Sequence, residues 1–179
     1  NCVANGKLLE SGIFKNLWIQ PAAGDAGGSL GAALAAYYSY LEHPRIKKTT
    51  GDTMNGSLLG PSYKQKDIES KLKRIGANFI TLTEEQLYKT VAKDIAKENV
   101  IGWFQGKMEF GPRALGNRSI LADPRSAKMQ KVLNIKIKYR ESFRPFAPSI
   151  LREDVKDWFE LDNDSPYMLL VADIKKERQ

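Results

Sequence analysis

Residues 102–125 read GWFQGKMEFGPRALGNRSILADPR, and the rest of the chain is best interpreted outward from them. The apolar run Val100–Phe104, which overlaps the start of this stretch, predicts a short buried strand. Asp123-Pro124 near its end predicts a helix start, with a capping carboxylate and a proline at the first helical position. The stretch therefore predicts a strand, a basic loop and a helix, in that order.

Two helices are predicted before this stretch. Ile68, Leu72 and Ile75 lie four and three residues apart, which is helical spacing, and Gly76 ends that segment. Thr83 followed by Gln86 predicts a capping box for a second helix. Short extended segments are predicted at 79–82, 143–151 and 167–171. Helices and strands that alternate in this way predict an α/β (α+β) fold.

The first 60 residues differ from the rest in composition and in predicted structure. Asn1–Ile19 predicts a strand with a hairpin-like excursion, because turn signals occur at Asn5-Gly6 and Ser11-Gly12. A glycine-rich turn at 24–31 then leads into an alanine- and leucine-rich helix. Residues 45–60 are largely polar and predict a linker. The predicted domains are therefore 1–44 and 61–179.

Composition limits the class of protein. The chain has 179 residues, of which 42% are hydrophobic and 27% charged, and charges interrupt each apolar run before the roughly 18 residues that a membrane span needs. Cys2 is the single cysteine and His43 the single histidine, which excludes an internal disulfide and a histidine-pair metal site within this chain. We expect a cytoplasmic protein with no membrane partner. Because residue 1 is asparagine, we also expect a fragment.

The positive charge is concentrated in one segment. The chain carries a net charge of +7, and residues 102–152 alone carry +8, with eleven basic and three acidic residues. The remainder is close to neutral. Such a segment indicates an anionic partner, either a phosphorylated substrate in a pocket or a nucleic-acid backbone on a surface. A solvated basic face is the alternative.

Within residues 102–125, Lys107, Arg113 and Arg118 place three cations among three glycines. Glycine allows the backbone to approach a ligand closely, and the arginine fork binds two phosphate oxygens at once. The pattern predicts a phosphate site, although it does not have the spacing of a Walker loop. A basic loop with glycine turns is the competing interpretation.

A second cluster follows at residues 136–149, KIKYRESFRPFAPS. If this segment is extended, Lys138, Arg140 and Arg144 share one face, together with Ser142. That face would bind phosphates. The interleaved aromatic residues are also typical of base stacking against RNA, and a strand with its basic side chains in water explains any single residue.

A third candidate is the turn before the helix of the first domain. The Asp25 carboxylate is a possible metal ligand, and the amides near Gly27 and Gly28 are placed to bind a phosphate at the positive helix end. Without further context, a helix cap is the favoured interpretation of Asp25.

Together these stretches resemble the NodU/CmcH-type O-carbamoyltransferases, which modify nodulation factors, cephalosporins and aminoglycosides. The residues that carry the resemblance are GKMEFGPRALGNRSILADPR, NCVANGK, PAAGDAGGSLGAA and FRPFAPSIL. The resemblance spans nearly the whole chain and is weakest in the linker and the two helices after it.

The resemblance implies a two-domain enzyme. An actin-like ATPase-type domain holds an iron-type metal and transfers the carbamoyl group to an acceptor hydroxyl, such as that of a sugar or an antibiotic. A YrdC-like domain with a twisted mixed sheet joins carbamoyl phosphate to ATP, with Mg²⁺, as O-carbamoyladenylate. Residues 1–44 then correspond to the end of the first domain and 61–179 to most of the second. The rest of the actin-like domain, with its histidine metal ligands, is implied upstream, and a further NTSFN-type segment is implied beyond Gln179.

The resemblance also implies roles for particular residues. Asp25 becomes a metal ligand, and Asn1, Gly27 and Gly28 become nucleotide contacts. The residues implied in carbamoyladenylate formation are Arg113, Arg118, Lys138 and Arg140, with Lys107, Arg144 and Ser149 as substrate or ATP contacts. The rival interpretations are an RNA- or nucleotide-binding YrdC-like module without transferase activity and a non-catalytic scaffold.

Overall fold

A computed structural model describes residues 1–46 and 51–179 of the chain. The predicted linker residues 47–50 lie outside the described residues. The chain divides into two compact units. Unit 1 comprises residues 1–60, 108–115 and 149–179, and unit 2 comprises residues 61–107 and 116–148. One boundary therefore lies at Gly60-Pro61, while the assignment of either unit to an actin-like or a YrdC-like domain stays a prediction.

Unit 1 begins with helix α1, Cys2–Glu10. The Asn1 side chain caps it by accepting hydrogen bonds from the amides of Val3 and Ala4. Gly6 is buried, and a Cβ placed there would lie 2.7 Å from the carbonyl oxygen of Val171. The predicted strand and hairpin over residues 1–19 are therefore wrong, because the cap and the close approach of the chain at Val171 favour a helix.

Helix α2, Asp25–Ala35, continues as a π-helical turn, Ala36–Tyr40. It confirms the predicted helix after the glycine-rich turn, although it begins earlier than its alanine-rich part. The C-terminal part of unit 1 contains a short helix α6, Val155–Trp158, followed by an isolated antiparallel bridge between Phe159 and Ile174. The predicted strand at 167–171 is absent from the described residues.

Unit 2 contains the two predicted amphipathic helices, α3 (Gln65–Arg74) and α4 (Glu84–Ala96). Gly76 has φ 67° just after α3, as the predicted helix end requires. Thr83 and Gln86 form the predicted capping box of α4. Residues 79–82, which the sequence predicts as a strand, form no strand among the described residues.

The sheet of the described residues is an antiparallel pair in unit 2. Strand β1, Ile101–Phe104, confirms the predicted strand, but its predicted burial is wrong, since its residues are alternately half-buried and exposed. It pairs with β2, Arg118–Leu121, so that Phe104 lies opposite Arg118. Strand β2 is not predicted by the sequence. The described residues are of mixed helix and strand class, consistent with the predicted α/β class, and the YrdC-like mixed sheet that the resemblance implies stays a prediction.

Helix α5, Met129–Val132, continues as a π-helical turn, Leu133–Ile137. It starts later than the sequence predicts, because Asp123 closes a turn with Arg125 instead of capping the helix. Met129 and Leu133 are the buried hydrophobic residues of the described chain. Among the residues described, no helix is both long enough and apolar enough to cross a membrane.

Candidate functional site

The predicted phosphate-binding residues are divided between the two units. Unit 1 carries Arg113 on residues 108–115, here named the Arg113 loop. Glu109 in this loop is buried, 4% exposed, and its Oε1 accepts a hydrogen bond from the Leu115 amide at 3.0 Å. A buried carboxylate therefore closes the turn that carries Arg113. The sequence does not mark Glu109 as functional, since a lone glutamate in a basic stretch has no distinguishing pattern.

Gly111 is required by the shape of the Arg113 loop. Its φ is +108°, and a Cβ placed on it would lie 2.7 Å from the Cβ of Ala22. Glycine is thus needed both for its backbone conformation and for close packing against the residues before α2. The sequence predicts a close backbone approach to a ligand at this glycine; the structure shows a close approach to Ala22, and the ligand contact stays a prediction.

A second loop of unit 1 supports the Arg113 loop. The Phe110 amide donates to the carbonyl oxygen of Ser57 at 2.6 Å, and Ser57 is 1% exposed. Asp52 orders this second loop by accepting from the amides of Met54 and Gly56 at 2.9 Å. The predicted linker therefore contains an ordered turn that holds the backbone of the basic loop.

Asp52 also accepts a hydrogen bond from the Tyr167 hydroxyl. This bond is the main cause that lowers the pKa of Asp52. Burial, followed by the same hydrogen bond, raises the pKa of Tyr167 to about 12. The pair is thus a carboxylate and a neutral phenol at neutral pH, and it ties the loop at 52–57 to the C-terminal part of unit 1.

Unit 1 contains a cavity of about 370 Å³. Arg113, Asn1 and Gly24 line it, together with Tyr167 and apolar side chains that include Phe110. Gly24 precedes α2 and Asn1 precedes α1, so the cavity lies beside one cation and two helix starts. Such surroundings favour an anionic ligand with an apolar part. The structure thereby brings together Asn1 and Arg113, two of the residues singled out by sequence.

The other residues singled out near α2 do not line this cavity. Asp25 is exposed in the first turn of α2. Gly27 packs closely, since a Cβ there would lie 2.4 Å from the Ala22 carbonyl oxygen. The Gly28 amide already donates to the Gly24 carbonyl oxygen at 3.0 Å, which leaves the earlier amides of the helix to bind a ligand.

The described residues do not by themselves form the iron-type site that the resemblance implies. Within residues 1–46 and 51–179, no group of three or more histidine, cysteine, aspartate or glutamate side chains is arranged to hold a metal ion. Asp25 is a single carboxylate without a clustered partner of that kind, so its role as a metal ligand stays a prediction.

In unit 2, Lys107 and Arg118 lie at the end of the β1–β2 pair at which residues 105–117 connect the two strands. The Gln105 amide donates to the Asn117 carbonyl oxygen at 2.9 Å, which extends the strand pairing by one step. The Asn117 side chain donates to the Lys107 carbonyl oxygen at 2.9 Å. The backbones of Lys107 and Arg118 are therefore held near one another, as a shared phosphate site requires.

The second basic cluster is not extended at its start. Lys138 has helical φ and ψ values at the end of the π-helical turn, and Tyr139 is left-handed with φ 49°. The predicted single face shared by Lys138, Arg140 and Arg144 is therefore wrong, because a helix end and a reversal of the chain separate the first two. Residues 138–146 form instead a turn, here named the Arg140 loop.

A wholly buried amide holds the Arg140 loop. Asn134 is 0% exposed, and its Nδ2 donates to the carbonyl oxygens of Ser142 and Arg144 at 3.1 and 2.8 Å. Its Oδ1 accepts from Nε of Arg140 at 2.6 Å. The guanidinium carbon of Arg140 also lies 4.9 Å from the ring centroid of Phe146, a cation–π contact. The guanidinium of Arg140 is thus held at its Nε by Asn134 and across one face by the ring of Phe146.

The remaining residues singled out by sequence are more exposed. Arg144 pairs with Glu141 at 2.8 Å. The pKa of Glu141 is lowered by its own backbone amide first and by Arg144 second. Lys138 is exposed after α5, and Ser149 is exposed in unit 1. The structure therefore places Ser149 with Arg113 in unit 1, and Lys138 and Arg144 with Arg140 in unit 2.

One cation of the basic segment has a structural role. Arg125 makes several hydrogen bonds to Asp123, the shortest 2.6 Å, and Asp123 is 5% exposed. These bonds lower the pKa of Asp123 to about 2. The Asp-Pro-Arg sequence is thus a closed turn between β2 and α5, and its charge is neutralised locally.

The arrangement in each unit can bind an anion. Unit 1 offers Arg113 beside a cavity, and unit 2 offers Arg140 with a fixed side chain and Lys107 near Arg118. The predicted convergence of Arg113, Arg118 and Arg140 on one polyphosphate involves residues of both units and stays a prediction. Asn134, Gln130 and Phe146 are the residues around Arg140 that sequence reasoning missed, because no short-range pattern marks them.

Comparison with protein families identifies two matches. Residues 92–179 match the family described as Carbamoyltransferase C-terminus, and residues 1–34 match Carbamoyltransferase N-terminus. The first match contains the whole of the segment that carries the excess positive charge.

Similar proteins extend over nearly the full chain. An uncharacterized protein of Synechocystis is 58% identical over 99% of this chain and 29% of its own length. Nodulation protein NolO of Bradyrhizobium diazoefficiens is 42% identical over 99% of this chain and 32% of its own length. The 3'-hydroxymethylcephem-O-carbamoyltransferase of Streptomyces clavuligerus is 29% identical over 99% of this chain and 31% of its own length. The chain thus spans about a third of the length of these relatives, and it belongs to the NodU/CmcH-type carbamoyltransferase family.

Proposed function

We propose that this chain provides the carbamoyladenylate-forming part of an ATP-dependent O-carbamoyltransferase, together with the end of the domain that transfers the carbamoyl group. One observation carries the proposal furthest. The segment of residues 102–152, which carries a net charge of +8, lies wholly within the match to the carbamoyltransferase C-terminus, and the substrates of such a reaction, ATP and carbamoyl phosphate, are polyanions.

The proposed reaction has three steps. Water cleaves carbamoyl phosphate to carbamate and phosphate. A carbamate oxygen then attacks the α-phosphorus of ATP, the bond from that phosphorus to the bridging oxygen breaks, and pyrophosphate leaves with its electron pair. Finally, the acceptor hydroxyl attacks the carbamoyl carbon, loses its proton and displaces AMP.

The second step brings several negative charges together, so its catalysis depends on positioning and on cations. Arg140 is suited to this task, because its Nε is held by Asn134 and its face by Phe146. Among the described residues its side chain donates through Nε, which leaves the two terminal amino groups to bind two phosphate oxygens. We assign Arg118, Lys107, Lys138 and Arg144 of unit 2 to the same polyphosphate.

We assign Arg113 and Asn1 to the cavity of unit 1, where an anionic ligand with an apolar part fits the lining. Arg113 would then contact the nucleotide or the carbamoyladenylate. Mg²⁺ bound to ATP would neutralise part of the charge of the phosphates. No step is derived through the iron-type metal, since Asp25 alone does not hold one.

The proposal is tested by following pyrophosphate. The intact natural protein is incubated with ATP and Mg²⁺, with and without carbamoyl phosphate. We expect pyrophosphate release that depends on carbamoyl phosphate, with one phosphate formed for each pyrophosphate. Release of phosphate from ATP without pyrophosphate, or equal release without carbamoyl phosphate, would contradict the proposal.

The basic segment also favours a second candidate, an RNA-binding module without transferase activity. RNA binding that is driven by phosphate contacts weakens steeply with salt and shows no preference for a nucleoside triphosphate. A titration with single-stranded RNA at two salt concentrations, in competition with ATP, distinguishes the two. Displacement of RNA by low concentrations of ATP supports the nucleotide site, and tight salt-dependent RNA binding unaffected by ATP supports the module.

A further inference from the structure

Asn134 combines complete burial with a polar side chain whose hydrogen-bonding groups have different partners. Its amide group donates both protons to backbone carbonyl oxygens, and its carbonyl oxygen accepts from Arg140. Because only a nitrogen with two protons can donate to both carbonyls, these two bonds orient Oδ1 toward the guanidinium.

The backbone of Asn134 contacts the same arginine. The Arg140 amide donates to the Asn134 carbonyl oxygen at 2.9 Å. One buried residue therefore holds Arg140 at two points, its backbone and its Nε. No common substitution preserves these contacts. Aspartate has no amide protons to donate, and leucine has no polar group at all. Glutamine is one methylene longer, which the close packing of a buried site opposes.

We propose that Asn134 is a positioning residue that orients Arg140 toward an oxyanion of a phosphorylated substrate, the class that contains nucleoside triphosphates and acyl phosphates. This inference rests on the proposed function for the identity of the substrate. Its geometric part does not, because the contact between Asn134 and Arg140 joins two residues of this chain. Asn134 acts through Arg140 and does not touch the substrate itself.

Gln130 provides a matched control. Its Nε2 donates to the carbonyl oxygens of Phe143 and Arg144 at 3.2 and 3.1 Å, so it secures the same loop as Asn134. It has no hydrogen bond to the guanidinium of Arg140 among the described residues. A difference between Asn134 and Gln130 variants thus separates orientation of the arginine from simple anchoring of the loop.

The main experiment measures ATP affinity of the intact protein by titration with a non-hydrolysable ATP analogue. We expect N134D, which lacks both amide donors, and N134L, which lacks all side-chain hydrogen bonds, to weaken binding about 10- to 100-fold. We expect Q130A to stay within about twofold of the natural protein. Equal weakening by Q130A and N134L would overturn the proposal in favour of loop anchoring.

The double variant separates this inference from the proposed function. In an R140A background, the Asn134 substitutions should cause no further loss of affinity, because the residue through which they act is gone. An undiminished effect of N134L in that background overturns the positioning role. If R140A alone leaves analogue binding unchanged, the proposed function of Arg140 fails whatever the Asn134 variants do.

A measurement on the natural protein covers the case in which Asn134 variants do not fold. The Nε proton of Arg140 should exchange with water at least about tenfold more slowly than that of an exposed arginine, since it lies in a hydrogen bond to a buried amide oxygen. R140K, which lacks Nε, identifies the resonance. Exchange of this proton as fast as in exposed arginines would overturn the proposal.

Discussion

The Arg113 loop and the Arg140 loop each carry an arginine and each contain or contact a buried polar side chain, but the two side chains act on different parts of their loops. Glu109 binds the backbone of Leu115 and shapes the turn around Arg113. Asn134 binds the backbone of the Arg140 loop and also the guanidinium itself. Glu109 therefore acts on the backbone of the Arg113 loop, whereas Asn134 acts on both the backbone and the arginine side chain of the Arg140 loop.

This difference predicts which substitutions affect chemistry and which affect folding. A change at the end of the Arg140 side chain should alter substrate handling directly. A change at Glu109 or Gly111 should alter the stability of unit 1.

The largest effect is expected for Arg140→Ala. Loss of a preorganised cation from a phosphoryl-transfer site costs about 100- to 1,000-fold in rate. We expect pyrophosphate release that depends on carbamoyl phosphate to fall by that factor. Lys131→Ala is the control, since it removes the same charge from an exposed position on α5. Equal losses in the two variants would mean that total charge, and not the held guanidinium, governs the rate.

A smaller effect on rate and a larger effect on stability are expected for Glu109→Ala. The substitution leaves the Leu115 amide without its buried acceptor, which should lower the free energy of unfolding by about 2 kcal/mol. Urea denaturation measures this change. Glu10→Ala, at an exposed position in α1, is the control and should lie within about 0.5 kcal/mol of the natural protein. A stability loss no greater than that of the control would show that Glu109 does not hold the Arg113 loop.

Gly111→Ala tests the backbone shape of the same loop. Both the positive φ and the 2.7 Å approach to Ala22 oppose a side chain there, so we expect a loss of about 2 to 3 kcal/mol. Gly116→Ala is matched, because its φ is +116° and no heavy atom lies within 4 Å of the added Cβ. It should cost about 1 kcal/mol. Equal losses in thermal denaturation would remove the argument for close packing at Gly111.

The smallest effect is expected at the exposed pair of Glu141 and Arg144. The pKa of Glu141 is lowered from its ordinary value of 4.5, so any stabilisation that this carboxylate gives is present above that value and is lost as the pH falls below it. We expect no measurable change in the unfolding midpoint of Glu141→Gln at pH 7, because the pair is solvent-exposed. The pKa of Glu141, followed by NMR, should rise toward 4.5 in Arg144→Ala. An unchanged pKa would show that Arg144 does not act on it.

Local signals in the sequence predicted the elements that local chemistry stabilises. The capping box at Thr83, the helical spacing before Gly76 and the apolar run at 101–104 each correspond to an observed helix or strand. These elements depend on side chains that lie within a few residues of one another. Pattern and structure therefore agree.

Elements that depend on distant partners were not predicted. The turn signal at Asn5-Gly6 predicts a strand and hairpin where the structure has helix α1. Gly6 packs closely against Val171, and no local pattern shows this contact. Strand β2 was read as part of the basic loop, because four residues gain their strand character only by pairing with β1. In both cases the deciding contact lies outside the window in which a pattern is visible.

In the candidate site, too, local features were predicted and contacts between distant residues were not. Sequence identified the cations, since charge and glycine content are local properties. It did not identify Asn134 or Glu109, because a buried polar residue is recognised only when its partners are known. The extended arrangement predicted for Lys138 and Arg140 failed for a related reason: the hydrogen bond from the Arg140 amide to Asn134 reverses the chain at Tyr139.

The central claim is that a held Arg140 takes part in joining ATP and carbamoyl phosphate. Calorimetric titration of the intact protein with a non-hydrolysable ATP analogue, with and without saturating carbamoyl phosphate, tests it most directly. We predict that carbamoyl phosphate tightens binding of the analogue severalfold in the natural protein and that this enhancement disappears in Arg140→Ala. Analogue affinity that is independent of carbamoyl phosphate, or an enhancement of the same size in both proteins, would contradict the claim.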